Sequence, residues 1–124
     1  MADKWIQLMS EDGTDNLFPI SKMDLLWENA SPTSSFGAQT LNVNLGDYHW
    51  YLVKYGVSTS SVQGGLSICI KGFGGFLPAD GNLNRPVGRI VTGLTDTSIS
   101  FGNCTYDGNT RNDMGIPLAI YGIK

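Results

Sequence analysis

The one histidine of this chain, His49, lies in the run Asp47-Tyr48-His49-Trp50-Tyr51, with Ser58, Ser60 and Ser61 downstream. Imidazole, carboxylate and hydroxyl are the parts of a nucleophilic hydrolase, in which histidine takes the proton of an attacking serine. That chemistry needs the serine held toward its base, and no nucleophile-elbow pattern surrounds any of these serines. One His and two distant cysteines, Cys69 and Cys104, lack the ligand spacing of a zinc site. The acidic turn Glu11-Asp12-Gly13-Thr14-Asp15-Asn16 offers hard oxygen donors for calcium, but without EF-hand spacing or the distant bidentate glutamate. The same Asp-Gly chemistry recurs at Asp80-Gly81-Asn82 and Asp107-Gly108-Asn109, which favours three hairpin turns over a metal. Two carboxylates positioned for glycoside hydrolysis are not singled out among eleven acidic residues. No catalytic residue, metal or cofactor is expected, and the chain is read as a non-enzyme.

Binding chemistry is better represented. Sugar recognition combines an aromatic ring, which stacks on the C–H face of a pyranose, with Asp and Asn side chains that bond its hydroxyls. Phe73 and Phe76 stand among glycines in Gly72-Phe73-Gly74-Gly75-Phe76, and Asp80, Asn82, Asn84, Tyr106, Asp107, Asn109, Asn112 and Asp113 supply the polar groups within the long loops. Phe73, Phe76, Asp80, Asn82, Tyr106, Asp107 and Asn109 are the candidate ligand residues. The competing reading makes the two rings plugs over the end of a sandwich.

Loops of that kind must hang from a framework, and its segments are short and extended. Trp5 to Met9, a polar turn and Leu17 to Ile20 read as an N-terminal hairpin, so residues 1–22 form an attachment segment ahead of a sandwich over 23–124. Met23 to Trp27 is the next apolar run, with a single helical turn entertained near Ser21 to Leu25. Leu41, Val43 and Leu45 alternate with Asn42 and Asn44, so one face of that strand is wet. In Tyr48 to Val57, Tyr51, Val53, Tyr55 and Val57 oppose Trp50 and Leu52, which places this strand at the centre of a sheet. Leu66 to Ile70, Pro86 to Leu94, Thr97 to Phe101 and Ile116 to Ile123 complete about eight strands, with a long glycine-rich excursion over 72–81. No stretch supplies a crossover helix, so the expected fold is all-β: an antiparallel, jelly-roll-like β-sandwich.

Composition agrees. Sixteen glycines and five prolines suit many tight turns, and 124 residues suffice for one two-layer core. A net charge of −3 with scattered Lys and Arg excludes the basic stripe that nucleic acid requires. No apolar stretch approaches the roughly 20 residues that span a bilayer as a helix, so no membrane insertion is expected. Cys69 and Cys104 fit buried free thiols in strands. Three Trp, five Tyr and five Phe exceed what so small a core hides, and a cyclic interface between copies would bury the surplus. The first and last apolar strands are the segments expected there, with Trp5, Ile6, Leu8, Ile120, Tyr121 and Ile123 as interface residues.

Several motifs resemble one group of proteins. Trp5-Ile6-Gln7-Leu8 with Asp12-Gly13 and Leu17-Phe18-Pro19-Ile20 is similar to the start of tail-fibre and head-fibre domains of bacteriophages. Asp24-Leu25-Leu26-Trp27-Glu28-Asn29, the stretch Ser31 to Phe36, Gln39-Thr40-Leu41 and the ending Ile116-Pro117-Leu118 with Ile120-Tyr121-Gly122-Ile123-Lys124 resemble the same family. The resemblance implies a homotrimeric β-module on the virion surface, made in the host bacterial cytoplasm. It further implies a receptor-binding protein that contacts host cell-wall polysaccharide or teichoic acid as a multivalent, non-enzymatic unit beside other virion proteins. The alternative is a capsid decoration or fibre-adaptor protein with a structural task.

Overall fold

A computed structural model describes residues 23–78 and 87–124. Nine strands occupy them: β1 (Met23–Glu28), β2 (Gln39–Asn42), β3 (Trp50–Ser58), β4 (Ser61–Ile70), β5 (Gly75–Pro78), β6 (Val87–Leu94), β7 (Ser98–Tyr106), β8 (Asn109–Thr110) and β9 (Met114–Ile123). They form two antiparallel sheets, one in the order β1-β9-β3-β4 and one in the order β2-β7-β6-β5 with β8 on β7. Strands β1, β2 and β3 alternate between the sheets, and β9 returns between β1 and β3, an interleaving of the jelly-roll kind. β3–β4, β5–β6 and β6–β7 pair as antiparallel neighbours in sequence, the first and last of these ladders with shifts of register.

The core lies between the sheets. Tyr51, Val53 and Ile120 from one sheet meet Leu77, Val91, Ile99 and Phe101 from the other, all buried. Alternation explains most of it: on β3 the residues Tyr51, Val53 and Tyr55 point inward, as the pattern requires. β9 is apolar at nearly every position because it sits between two strands and its inner face forms the core floor. Pro117 is tolerated inside it for a local reason. The pairing with β3 shifts register between Lys54 and Tyr55, the residue opposite Pro117, and β1 stops at Glu28 opposite Ala119. Asn29 then closes the gap, its side-chain amide donating to Pro117 O at 2.9 Å.

Several expectations are corrected. Met23 to Leu25 is extended rather than a helical turn, because it pairs with Ile123 to Tyr121 on β9. The ladder of β2 ends at Asn42, but the alternation persists, with Leu45 fully buried and its N–H donating to Asp96 O at 2.7 Å. The seventh strand runs on through Tyr106. The glycine-rich excursion is mostly not a loop: residues 71–74 form a tight turn, and Gly75–Pro78 is strand β5. The N-terminal hairpin, the two turns at 11–16 and 80–82, and Trp5, Ile6 and Leu8 lie outside the described residues.

Both cysteines are free and buried. The largest fully buried side chain is Arg89 on β6. It crosses the sandwich, donating from Nε to Gly115 O at 2.8 Å, from Nη1 to Gly102 O at 2.7 Å and from Nη2 to Met114 O at 3.1 Å. Desolvation lowers its pKa from the usual arginine value.

Candidate functional site

Two surfaces carry the residues that could act: the edge and ends of the five-stranded sheet, and the outer face of the four-stranded sheet.

The first holds the exposed rings. After β4 the backbone reverses through Gly72 at φ 79° and Gly74 at φ 86°, left-handed conformations that glycine supplies without strain. The N–H groups of Phe73 and Gly74 both donate to Ile70 O, at 3.0 and 2.8 Å, and Gly72 N–H donates to Leu94 O at 3.2 Å. The turn is therefore hydrogen-bonded on both sides, and it leaves the Phe73 ring 85% exposed. Beside it, Lys71 Nζ meets Asp96 Oδ1 at 2.6 Å, which raises the lysine pKa. Thr95 and Ser98 hydroxyls close the neighbouring β6–β7 turn, 2.9 Å apart.

Phe76 follows in β5 on the outer face, 47% exposed, directly across from Ile90 on β6. Its ring lies over Gly88, where any Cβ would meet the ring atoms. Inside the same strand Leu77 points the other way and is fully buried. Phe73 and Phe76 thus share one edge, the first on a turn and the second on a strand.

Tyr106, Asp107 and Asn109 sit at the opposite end. Asp107 at φ 51° and Gly108 at φ 82° make a two-residue turn with both central residues left-handed, the primed geometry that suits a twisted hairpin. Tyr106 pairs with Val87, whereas Gly75, the residue after the Phe73 turn, pairs with Val91. The β6 and β7 strands therefore separate the two groups. Arg111 lies 6.0 Å from the Tyr106 ring and holds Asp113 with two contacts of 3.0 Å, depressing the Asp113 carboxyl. Asn112 is used structurally, accepting from Cys104 N–H at 3.0 Å and donating to Asn103 Oδ1 at 2.9 Å. Asp80 and Asn82 lie outside the described residues. Lys71 and Asp96 were missed by the sequence reading, because the ion pair joins two turns 25 residues apart.

His49 stands before β3 and Ser58 ends it, so a nine-residue strand of about 30 Å separates imidazole from the serine cluster. Ser58 and Ser60 instead bond each other at 3.0 Å. Among the described residues no group of three or more His, Cys, Asp or Glu could hold a metal ion.

The second surface is apolar. Cross-strand rows run Met23, Ile123, Trp50, Ile70 and Leu25, Tyr121, Leu52, Ile68 over the outside of the four-stranded sheet. Leu25, Val62, Leu66, Ile68 and Ile70 are each about half exposed, and Trp50 is 38% exposed. Of the expected interface residues, Tyr121 and Ile123 are half-buried on this face, while Ile120 is fully buried in the chain's own core and corrects that expectation. Leu66, Ile68 and Ile70 were not singled out from sequence, although their alternation with Ser67 and Cys69 was visible.

No family model, curated protein or solved structure matches the chain.

Proposed function

We propose that this chain is a non-enzymatic adhesin module of a phage virion, a fibre β-sandwich that binds host cell-surface glycan and acts as a homotrimer. The observation that carries the reading is the contrast between the two outer surfaces. One side presents exposed rings beside hydroxyl and ion-pair groups, the chemistry that stacks on and hydrogen-bonds a sugar. The other presents an apolar sheet face suited to association. Single sugar contacts are weak, and repetition of the ring-bearing edge in an assembly would raise avidity without new contacts. The similarity of the terminal motifs to fibre domains supports the same reading.

The apolar face also favours a second reading, a capsid decoration or fibre-adaptor protein, in which that face meets another virion protein.

Retention of the purified chain on immobilised wall polysaccharide and teichoic acid tests the proposal. The expected result is retention that falls several-fold in Phe73→Ala with the solution mass unaltered. Absence of retention by the unmodified chain on host-wall material would overturn the adhesin reading.

A further inference from the structure

We infer that the outer face of the four-stranded sheet is an interface between copies of this chain, centred on Leu66, Ile68 and Ile70 of β4 with Trp50 of β3. The inference deepens the proposed function by naming the surface through which the module assembles, and it rests on that reading for the number of copies.

Area is the first argument. Six side chains here are between 38% and 58% exposed. At on the order of 100 Å² each they leave roughly 600 Å² of side-chain surface in water, the upper end for the largest patch on a monomer. With the half-buried Met23, Leu52, Tyr121 and Ile123 between them, the face approaches the ~800 Å² that each partner contributes to a standard interface.

The edge strand supplies the second. Among the described residues β4 ends the sheet on one side, and its ten residues, Ser61-Val62-Gln63-Gly64-Gly65-Leu66-Ser67-Ile68-Cys69-Ile70, include no charge and no proline. Long edges that stay in water are normally blunted by Lys, Pro or a bulge, because unpaired strand groups recruit other chains. Among the described residues β5 covers the last part of β4, where Ile70 N–H donates to Gly74 O at 3.1 Å and the Ser67 hydroxyl donates to Phe76 O at 2.5 Å. The first part of β4, free of Lys and Pro and continuous with an apolar face, fits a strand that is covered in the assembled state.

Chemistry selects the occupant. Among the outward positions of β4 and of the cross-strand rows, charge is confined to one row, to Lys54 between Leu66 and Ala119 and to Glu28 opposite Ala119 on β1. A distinct protein partner is usually picked out by a complementary charge pattern. Apolar sheet faces grouped about a symmetry axis cover one another, and each further copy of the chain brings such a face with it.

The test is the solution mass at micromolar concentration, under reducing conditions, of the unmodified chain, Ile68→Glu, Leu66→Ser and Phe73→Ala. The unmodified chain and Phe73→Ala are expected at the same multiple of 13.4 kDa. Ile68→Glu should raise the dissociation constant by roughly a hundredfold or more, since it buries an unpaired charge. Its far-UV circular dichroism should be unchanged, because position 68 faces outward. Leu66→Ser, a milder change, should weaken association in the same direction and keeps the test alive if the glutamate variant does not fold. A folded variant pair that retains the full mass overturns the inference. So does an unmodified chain of single-chain mass, which would assign the face to residues 1–22 or to a different virion protein. Loss of glycan retention in Phe73→Ala at unaltered mass concerns adhesion alone, so the two readings fail separately.

Discussion

The guanidinium of Arg89 lies 5.2 Å from the centroid of the Phe36 ring. Phe36 in turn meets Phe101 edge-on at 5.5 Å and Trp27 at 6.4 Å, so a buried cation and an aromatic cluster join the two sheets. The carbonyls that Arg89 bonds belong to β7 and to the start of β9, on opposite sides of the sandwich. Replacing it leaves buried acceptors without a donor and opens a cavity. Arg89→Ala is expected to cost about 3 kcal/mol or more. Arg89→Lys should also lose stability, since a compact ammonium cannot reproduce the planar fork. Urea denaturation checks both, and an unchanged midpoint in either would show that the arginine is a passenger.

Buried thiols should be silent in the native state. Burial pushes Cys69 up to about 11, and burial also raises Cys104, although nearby Arg89 pulls the other way. A thiol whose folded pKa is raised contributes stability below the unfolded value near 9, and that contribution is lost as pH rises through the folded value. Stability should therefore fall between pH 9 and about 11. At pH 8 a thiol reagent should label neither cysteine until denaturant is added, after which both react. Rapid native labelling would mean that the core opens at these strands.

Tyr48 offers a separate titration. Its hydroxyl donates to Asp24 Oδ2 at 2.7 Å, and that hydrogen bond, with smaller help from desolvation and the carboxylate charge, raises its pKa to about 12. The folded state holds the proton more tightly, so the contribution is complete below pH 10 and disappears as pH rises through about 12. Asp24→Asn should move this transition down toward pH 10 in the tyrosinate absorbance. Gly122→Ala should disturb the same pair, because a Cβ there would stand 2.5 Å from the Tyr48 ring. Identical absorbance titrations in all three proteins would contradict the assignment.

Neighbouring residues on the ring-bearing edge should separate stability from binding. Phe73, on its turn, is almost free of contacts that burial could lose, so Phe73→Ala should change stability by about 0.5 kcal/mol or less. Leu77 is fully buried, and Leu77→Ala should cost about 2–5 kcal/mol. Glycan retention measured under folding conditions should show the reverse order. Equal losses of retention in both variants would detach Phe73 from ligand binding.

The strands of the framework were largely legible because period-two alternation survives in them: Tyr51, Val53 and Tyr55 turned inward, and the apolar β9 took a central place. Local signals were weaker where glycine dominates. The stretch after Gly72 looked like a flexible loop, yet two left-handed glycines and hydrogen bonds to Ile70 and Leu94 fold it into a turn and a strand. Ile120 was assigned outward because β9 is apolar on both faces, and the bulge between Leu25 and Trp27 shows how register decides such a face. Arg89 appeared only as one of eight scattered cations, since nothing in its neighbours announces three distant carbonyls. The Lys71–Asp96 pair was hidden for the same reason, contact between turns being a property of topology.

Association through the four-stranded sheet is the claim on which the avidity argument depends, and static light scattering of the unmodified chain, at micromolar concentration with reducing agent, tests it most directly. The expected mass is three times the 13.4 kDa of one chain. A mass of one chain across the concentration range would contradict it, leaving the face around Leu66, Ile68 and Ile70 without the partner assigned to it.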